Sequence, residues 1–316
     1  QETIAQTLDS ILCQKGDFEL EVVIGEDCST DNTWAICHEY AERYQEQVLL
    51  LENKHNLGIM ANFARVMNAC TGDYVGICAG DDYWCDEQKL QKQLDYFVAH
   101  PECGVCTTGG YRYLVRRDEM LSGIAPLQPI EDGDVSKYYF SGSYPGGVYA
   151  MPLSMLFKRE LLQYVDFDVF IERGFPVEDY PMQAIMAMHT KWGHIEYLTV
   201  VYRVYSESAT FISYDHPKYM QYHRGLMEIR RYLRDKYALQ LFNYSEEYIQ
   251  EYLFYREYLL YLHQGDYRKA KQLSDDCKLH TSKVNKARKM TANRLVFALF
   301  RLYKLRSLKN DLKQRT

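Results

Sequence analysis

The sequence lacks the features that mark membrane-spanning, disulfide-bonded and zinc-binding proteins. No run of about 18 uninterrupted apolar residues occurs, so no transmembrane helix is expected. The nine cysteines are odd in number and scattered along 316 residues, which favours reduced thiols in the cytoplasm. Cys103 and Cys106 form one Cys-x-x-Cys pair, and no second pair stands at the spacing of a zinc site. We therefore predict a cytoplasmic protein without structural disulfides.

Positive charge is scarce in most of the chain and is concentrated at its end. Residues 278–316 hold twelve Lys/Arg residues and one acidic residue, whereas the other 277 residues hold 25 basic and 42 acidic residues. The net charge of −6 thus combines an acidic body with a basic tail. Apolar residues interleave with the basic ones from Val284 onward, so residues 284–316 predict a basic amphipathic helix that binds an anionic membrane surface. The alternatives are docking on the acidic body or on a partner subunit, and no other feature predicts binding to nucleic acid.

The first part of the chain alternates short apolar runs with helical patterns. Four of these runs predict buried strands, at residues 21–25, 48–51, 74–78 and 103–108. The alternation is typical of βαβ units, in which a mostly parallel sheet carries helices on both faces. Beyond about residue 213 only helical patterns occur. The sequence therefore predicts an α/β domain over residues 1–213 and an all-helical region over residues 214–316.

Paired acidic residues directly follow two of the predicted strands. Glu26-Asp27 follows the first strand, and Asp81-Asp82 follows the run that ends at Cys78. The carboxyl ends of parallel strands meet at one edge of a sheet, where α/β proteins bind their ligands. Adjacent carboxylates repel each other, and a divalent cation such as Mg²⁺ relieves that repulsion by taking oxygen ligands from them. The alternative is a solvated turn, because Gly and Asp are turn formers.

A third acidic pair, Glu178-Asp179, opens a predicted helix later in the chain. The simple interpretation is an acidic first turn, which the helix dipole stabilises. Between the two parts, residues 111–149 contain several prolines and glycines and predict a long segment that crosses near a site.

Taken together and in this order, the motifs resemble the inverting glycosyltransferases of family 2, which have the Rossmann-like GT-A fold. The resemblance covers roughly residues 1–210. It rests on a first helix, an acidic turn, a central block and two later motifs. These segments are residues 1–14, 26–33, 56–62, 72–84, 178–180 and 202–205. The fold class implied is an α/β GT-A domain followed by the helical region.

The resemblance implies how a nucleotide diphosphate sugar is bound. Asp27 is expected to contact the base, with Glu26 as a second candidate. Asn56 and Gly58 are expected to line the nucleotide pocket, where a glycine allows the backbone to approach closely. The rest of the donor is expected to lie at the second acidic turn.

The resemblance also implies the chemistry. Asp81 is expected to hold a Mg²⁺ or Mn²⁺ ion that clamps the diphosphate, with Asp82 beside the donor. Asp179 is expected to be the general base that takes a proton from the acceptor hydroxyl, and Glu178 is the second candidate for that role. The implied acceptor is a glycan or a lipid-linked sugar, used in cell-envelope polysaccharide synthesis by an enzyme that lies at the inner face of the cell membrane.

Three departures from the family pattern suggest alternatives. Ala79 stands where the family usually has an acid, and Tyr205 stands where it often has a histidine. These two residues favour a catalytically weakened nucleotide-sugar-binding or glycan-binding protein. The family also has a central strand before its first helix, so we expect that a stretch is missing ahead of Gln1. A nucleotidyltransferase is a third class, but the sequence lacks a Gly-rich phosphate loop with Arg or Lys.

Overall fold

The computed structural model describes residues 1–124, 133–136, 150–205, 214 and 216–315. The chain divides into two compact units, Gln1–Val204 and Tyr205–Thr316. The predicted boundary at residue 213 and much of the predicted loop at residues 111–149 lie outside the described residues.

The first unit contains the strands and helices that the apolar patterns predict, together with strands at residues 83–84, 119–124 and 156–158 and a short helix at residues 167–172 that the patterns do not predict. Its helices are α1 Ile4–Leu12, α2 Thr33–Arg43, α3 Ile59–Ala69, α4 Lys89–Ala99, α5 Phe167–Glu172 and α6 Asp179–His189. Its strands are β1 Val22–Glu26, β2 Val48–Glu52, β3 Tyr74–Gly76, β4 Tyr83–Trp84, β5 Cys103–Leu114, β6 Glu119–Ile124, β7 Leu156–Lys158 and β8 Lys191–Val204.

The strands form two separate sheets. Strands β1 and β2 pair in parallel, and the larger sheet has the order β3-β7-β5-β8-β4, with β6 added to β5. Among the described strands of the larger sheet, β5 and β8 pair in parallel and the other pairs are antiparallel. The α/β class is confirmed, but the expectation of a mostly parallel sheet is wrong for this larger sheet. The reason is that β6 and β7 return toward β5 as antiparallel partners, for which no helical crossover is needed.

Helix α1 supports the start of the fold because one of its faces is apolar. Ile4 and Leu8 are buried and pack with Val22 of β1 and with Cys37 and Tyr40 of α2. This spacing of four residues places both side chains on one face of the helix. Thr7 of this helix, and Thr3 directly before it, form hydrogen bonds with the main chain of the acidic turn at residue 81, as described below.

The Cys-x-x-Cys pair lies in the core of the larger sheet. Cys103 and Cys106 are buried within β5, beside Phe97 and Leu156. Burial raises the pKa of the Cys106 thiol to about 12. All nine cysteines, which lie within the described ranges, are free thiols. The pair therefore acts as packing, which agrees with the absence of a second pair at zinc-site spacing.

The second unit is helical. Its helices are α7 Tyr219–Tyr237, α8 Glu246–Gln264, α9 Tyr267–Asp276, α10 Ser282–Thr291 and α11 Arg294–Arg315. The prediction of a single helix over residues 284–316 is wrong, because α10 and α11 are separate. Asn293 interrupts the helix: its side-chain oxygen accepts a hydrogen bond of 2.7 Å from the main-chain N–H of Leu295 and starts a new helix. In the part of the chain that the structure describes, none of the helices is long and apolar enough to span a membrane.

Candidate active site

The first acidic turn follows β1 and is organised by Glu26. Its carboxylate accepts hydrogen bonds from the main-chain N–H groups of Cys28, at 2.9 Å, and Ser29, at 2.7 Å. Cys28 adopts a left-handed conformation with φ of 60°, which a non-glycine residue adopts only when its surroundings hold it there. Glu26 is only 5% exposed. Its carboxylate therefore holds the turn in shape.

Removing the Glu26 carboxylate should destabilise the protein. We expect Glu26→Ala to lower the free energy of unfolding by about 2–3 kcal/mol, because hydrogen bonds to a charged group contribute about 1.5–3 kcal/mol each and water replaces them in part. Chemical denaturation measures the change. Glu52→Ala is the matched control, since Glu52 is exposed and lies opposite Glu26 in the β1–β2 pair. Equal losses in the two variants would contradict the assigned role.

Asp27 joins the first acidic turn to the loop before α3. Its carboxylate accepts hydrogen bonds from the main-chain N–H groups of Leu57, at 2.7 Å, and Gly58, at 2.9 Å, and from the Asn53 side chain, at 2.9 Å. The Asn56 side chain donates in return to the Asp27 carbonyl, at 2.8 Å. Gly58 has φ of +83°, a conformation that favours glycine. The structure thus brings together three of the residues predicted to bind the nucleotide.

The second acidic turn lies between β3 and β4 and is held by α1. The main-chain N–H of Asp82 donates to the carbonyl of Ala79, at 3.0 Å, and closes the turn. The hydroxyl of Thr3 donates to the carbonyl of Gly80, at 2.9 Å. The Thr7 hydroxyl has a single proton, which it donates to the nearer carbonyl, that of Asp82 at 2.6 Å, and its oxygen lies 3.1 Å from the carbonyl of Gly80. Helix α1 therefore fixes the main chain of the turn.

The two acids of this turn have different environments. Asp81 is exposed, whereas Asp82 is only 3% exposed and its carboxylate accepts a hydrogen bond of 2.8 Å from the main-chain N–H of Arg203. Burial raises the pKa of Asp82 to about 7, although the hydrogen bond from Arg203 opposes the rise. Asp81 is therefore the acid whose carboxylate is accessible to a ligand.

The first three residues of the chain connect the two acidic turns. The side chain of Gln1 accepts a hydrogen bond of 3.0 Å from the main-chain N–H of Asn32. Thr3 contacts the carbonyl of Gly80. Because three residues span at most about 11 Å when extended, the two turns lie close together. The sequence predicts this adjacency, but the predicted reason, one shared sheet edge, is wrong, because β1 and β3 belong to different sheets.

The third acidic pair lies at the start of α6. The N–H of Tyr180 donates to the Asp179 carboxylate at 2.6 Å. Burial raises the pKa of Asp179 to about 6 and also raises the pKa of Glu178. The side chain of Gln183 donates to the carbonyl of Ala150, so α6 lies against the start of the segment that follows residues 137–149. Between described residues, no hydrogen bond joins Asp179 to either acidic turn.

Sequence reasoning placed the residues that support the second acidic turn within the motifs at 1–14 and 202–205 but did not predict this role for them. Gln6 and Thr7 belong to α1, a helix that the apolar pattern explains, Thr3 directly precedes it, and Arg203 belongs to an apolar strand. A charged residue in such a strand is a usable signal, because arginine is almost never fully buried unless it is paired. The polar threonines, spaced four residues apart at the start of α1, are a second signal.

Comparison with known proteins agrees with this architecture. The family model "Glycosyl transferase family 2" matches residues 1–163. An uncharacterized protein of Mycobacterium tuberculosis is 43% identical over 106 residues, which are 34% of this chain and 31% of that protein. The Escherichia coli enzyme WfaP, a UDP-Glc:alpha-D-GlcNAc-diphosphoundecaprenol beta-1,3-glucosyltransferase, is 24% identical over 139 residues, 44% of this chain and 52% of the enzyme. The chain thus spans about a third to a half of the length of these relatives.

A solved structure supports the fold. The Staphylococcus aureus protein TarS, residues 1–349 in complex with UDP-GlcNAc, superposes with a TM-score of 0.53 and 15% identity, covering 95% of this chain and 80% of that one. Similarity at this level of identity shows the GT-A fold alone. The family match covers just over half of the chain and includes both acidic turns. The chain belongs to glycosyl transferase family 2.

Proposed function

We propose that the chain is an inverting, metal-dependent glycosyltransferase that moves a sugar from a nucleotide diphosphate sugar to a hydroxyl of a glycan or lipid-linked acceptor. The observation that carries this proposal is the adjacency of the two acidic turns, which the side chains of Gln1 and Thr3 connect. One turn is suited to a nucleoside and the other to a diphosphate. TarS, which shares the fold, binds the nucleotide sugar UDP-GlcNAc.

The first turn is proposed to bind the nucleoside. Among the described residues, Asp27 Oδ1 accepts two hydrogen bonds, whereas Oδ2 accepts one, from Gly58. A carboxylate oxygen accepts two hydrogen bonds, so Oδ2 retains a lone pair for an N–H of the base. Asn56 and Gly58 form the adjoining wall of the site. Glu26 contributes indirectly, by holding the turn from which Asp27 projects.

The second turn is proposed to bind the metal and the diphosphate. Among the described residues, no three His, Cys, Asp or Glu side chains group around a common point, and Asp81 offers one accessible carboxylate. This set fits a hard cation such as Mg²⁺ or Mn²⁺, which takes its remaining oxygen ligands from phosphate and water. When bound, such an ion neutralises the charge that develops on the leaving diphosphate. Asp81 is the residue that would hold it.

Asp179 is proposed as the general base. The acceptor oxygen forms a bond to the anomeric carbon while the bond from that carbon to the phosphate oxygen breaks, and the proton of the acceptor hydroxyl moves to the Asp179 carboxylate. Attack from the face opposite the leaving group inverts the anomeric configuration. Burial makes Asp179 more basic than an exposed aspartate, yet a pKa of about 6 leaves it ionised at neutral pH. Glu178 is the second candidate.

The function is tested by offering the protein a panel of nucleotide diphosphate sugars with and without Mn²⁺. Metal-dependent hydrolysis of one donor, and transfer to an acceptor with inverted configuration, would support the proposal. Binding of a donor without turnover would favour the alternative of a nucleotide-sugar-binding protein, which Ala79 and Tyr205 suggest. Incorporation of a nucleoside monophosphate into the product would instead indicate a nucleotidyltransferase.

We also propose that the enzyme is cytoplasmic and attaches peripherally to the inner face of the cell membrane. WfaP acts on a diphosphoundecaprenol-linked sugar, and an acceptor of that kind requires an enzyme at the membrane surface. Helix α11 has one buried face and one exposed apolar face. The buried face places Phe297 in the core of the helical unit, while four large apolar side chains on successive turns of another face are exposed. These are Leu295, Leu299, Leu302 and Tyr303.

Charge favours an anionic lipid surface as the partner of this exposed face. Residues 278–305 contain eight Lys/Arg residues and no acidic residue. A second copy of the same face would bring like charges together, whereas anionic lipids contribute about 1 kcal/mol for each basic residue near the surface. The exposed leucines would add about 1.5–3 kcal/mol each when buried among acyl chains.

The double variant Leu299→Glu, Leu302→Glu should weaken binding to vesicles that contain phosphatidylserine by at least about tenfold, because it removes buried apolar area and adds repulsive charge. Co-sedimentation with vesicles measures the change. The helical unit should stay folded, since these side chains are 59% and 55% exposed. Val98→Glu, at an 84% exposed position of α4, is the control. Equal binding of wild type to neutral vesicles, or unchanged binding of the double variant, would contradict the proposal.

A further inference from the structure

Arg203, near the end of β8, contacts the second acidic turn through both its main chain and its side chain. Its main-chain N–H donates to the Asp82 carboxylate at 2.8 Å. Its guanidinium donates to the main-chain carbonyl of Asp81 at 2.5 Å and also to the side-chain oxygen of Gln6 on α1. The guanidinium carbon lies 4.7 Å from the centre of the Tyr83 ring. One residue thus joins the turn to two other elements of the fold.

These contacts are buried. Arg203 is 7% exposed and Asp82 is 3% exposed. A buried charge is tolerated only when it is paired and hydrogen-bonded, so the arrangement is specified closely. The pairing of Tyr83 with Val201 places the two segments in register. The hydrogen bonds from Arg203 therefore join β8 to the residues directly before its neighbour β4, Asp81 and Asp82.

As a result, the carboxylates of Asp81 and Asp82 differ in whether a ligand can reach them. The main chain of Asp81 is held by Arg203 while its carboxylate is exposed, and the carboxylate of Asp82 is used inside the protein. A side chain that meets a ligand must start from a fixed main chain, because a displacement of about 1 Å can lower a rate by about 10²-fold. The contacts of Arg203 supply that restraint.

We propose that Asp82 and Arg203 are positioning residues that hold the Asp81 turn against β8 and α1, and that Asp81 alone of the paired acids meets the donor. This rests on the proposed function, in which Asp81 is the donor-side carboxylate. It differs from the donor contact that the family resemblance implies for Asp82. In this role Asp82 needs an oxygen that accepts a hydrogen bond, and its negative charge is dispensable.

Conservative variants distinguish a requirement for charge from a requirement for a hydrogen bond. Asparagine at position 82 keeps a side-chain oxygen that can accept from the N–H of Arg203, whereas alanine removes it. Lysine at position 203 keeps the charge but lacks the fork that reaches Asp81 and Gln6 together. Methionine removes the charge and the donors. Gln6→Leu removes one of the three hydrogen bonds of Arg203 and leaves the residues of the turn itself unchanged.

The test uses the whole chain and two measurements, donor hydrolysis kinetics and calorimetric binding of Mn²⁺ with a nucleoside diphosphate, using UDP, GDP, CDP and dTDP as probes. We expect Asp82→Ala and Arg203→Met to lower kcat and the affinity for Mn²⁺ with nucleotide by about 10²-fold each. We expect Asp82→Asn to restore both to within about fivefold, and Arg203→Lys and Gln6→Leu to fall between. Arg43→Met, at an exposed site on α2, is the control.

Each outcome decides the proposal. If Asp82→Asn is as impaired as Asp81→Asn in nucleotide-dependent Mn²⁺ binding, the charge of Asp82 is required and the positioning role is overturned. If Arg203→Met binds and turns over donor like wild type, the role of Arg203 is overturned. If Asp82→Ala fails to fold, Asp82→Asn and Gln6→Leu still separate charge from hydrogen bonding. If the wild type neither binds these nucleotides nor hydrolyses any donor, the proposed function falls first, and this inference falls with it.

Discussion

Asp179→Asn should lower kcat by about 10²–10⁴, because a positioned general base contributes a factor of that size. The affinity for the nucleotide diphosphate sugar should change by less than about threefold, since the acceptor base does not contact the donor's nucleotide. Steady-state kinetics with a saturating acceptor and equilibrium binding of the donor measure the two effects. Asparagine keeps the hydrogen bond from Tyr180 and the size of the side chain, so the variant should fold normally.

The pH dependence provides an independent check on Asp179. Burial raises its pKa from 3.8 to about 6, so the carboxyl is protonated and inactive below that pH. For the wild type, kcat/KM should therefore be constant well above pH 6 and should fall about tenfold per pH unit below it. The residual activity of Asp179→Asn should lack this fall. Glu178→Gln is the control at the second candidate, and a loss confined to Glu178→Gln would reassign the base.

Asp81→Asn should abolish metal-dependent turnover of the donor, with a loss of at least about 10²-fold in kcat/KM, because the ion that neutralises the diphosphate is worth several kcal/mol. Asparagine removes the charge and leaves one neutral oxygen, which is a weaker ligand for Mg²⁺ or Mn²⁺. Titration of Mn²⁺ in the donor hydrolysis assay measures the loss, and higher Mn²⁺ should recover part of it.

Asp73→Asn is the matched control for Asp81→Asn. Asp73 is an exposed acid directly before β3, whereas Asp81 lies beyond the other end of the same strand. Neutralising Asp73 removes one negative charge from the same unit without touching the turn, so it should leave the Mn²⁺ dependence unchanged. Asp81→Asn with wild-type Mn²⁺ dependence would show that the metal, if it binds, is held elsewhere.

Local patterns in the sequence predict most of the elements of the fold. The strands β1 and β2 have bounds within one residue of those that the apolar runs predict. The reason is that the spacing of apolar residues along a strand or helix depends on which face is buried, and this spacing can be recognised from residues close together in the sequence. The break at Asn293 was missed, because apolar residues continue on both sides of it.

The position of the paired acids was also predictable, since Glu26 ends β1, Asp81 and Asp82 lie in the turn that follows β3, and Glu178-Asp179 begins a helix. Their separate roles were not. In the sequence Glu26 and Asp27 are equivalent neighbours, and so are Asp81 and Asp82. In the structure, Glu26 binds the N–H groups of its own turn, and Asp82 binds a residue 121 positions away. Whether an acid faces a ligand or the interior depends on hydrogen-bond partners that can be far away in the sequence, and the local pattern does not predict them.

The sequence by itself therefore determined the α/β class, the order of the elements and where the acidic residues fall along them. These depend on interactions between residues close along the chain. Only the tertiary structure decided how the larger sheet pairs, how α1 holds the turn at Gly80, and which of the paired acids is accessible. Those features depend on hydrogen bonds between segments far apart in sequence, such as Thr3 with Gly80 and Arg203 with Asp81. Such bonds form only when the burial of several apolar faces has brought the segments together.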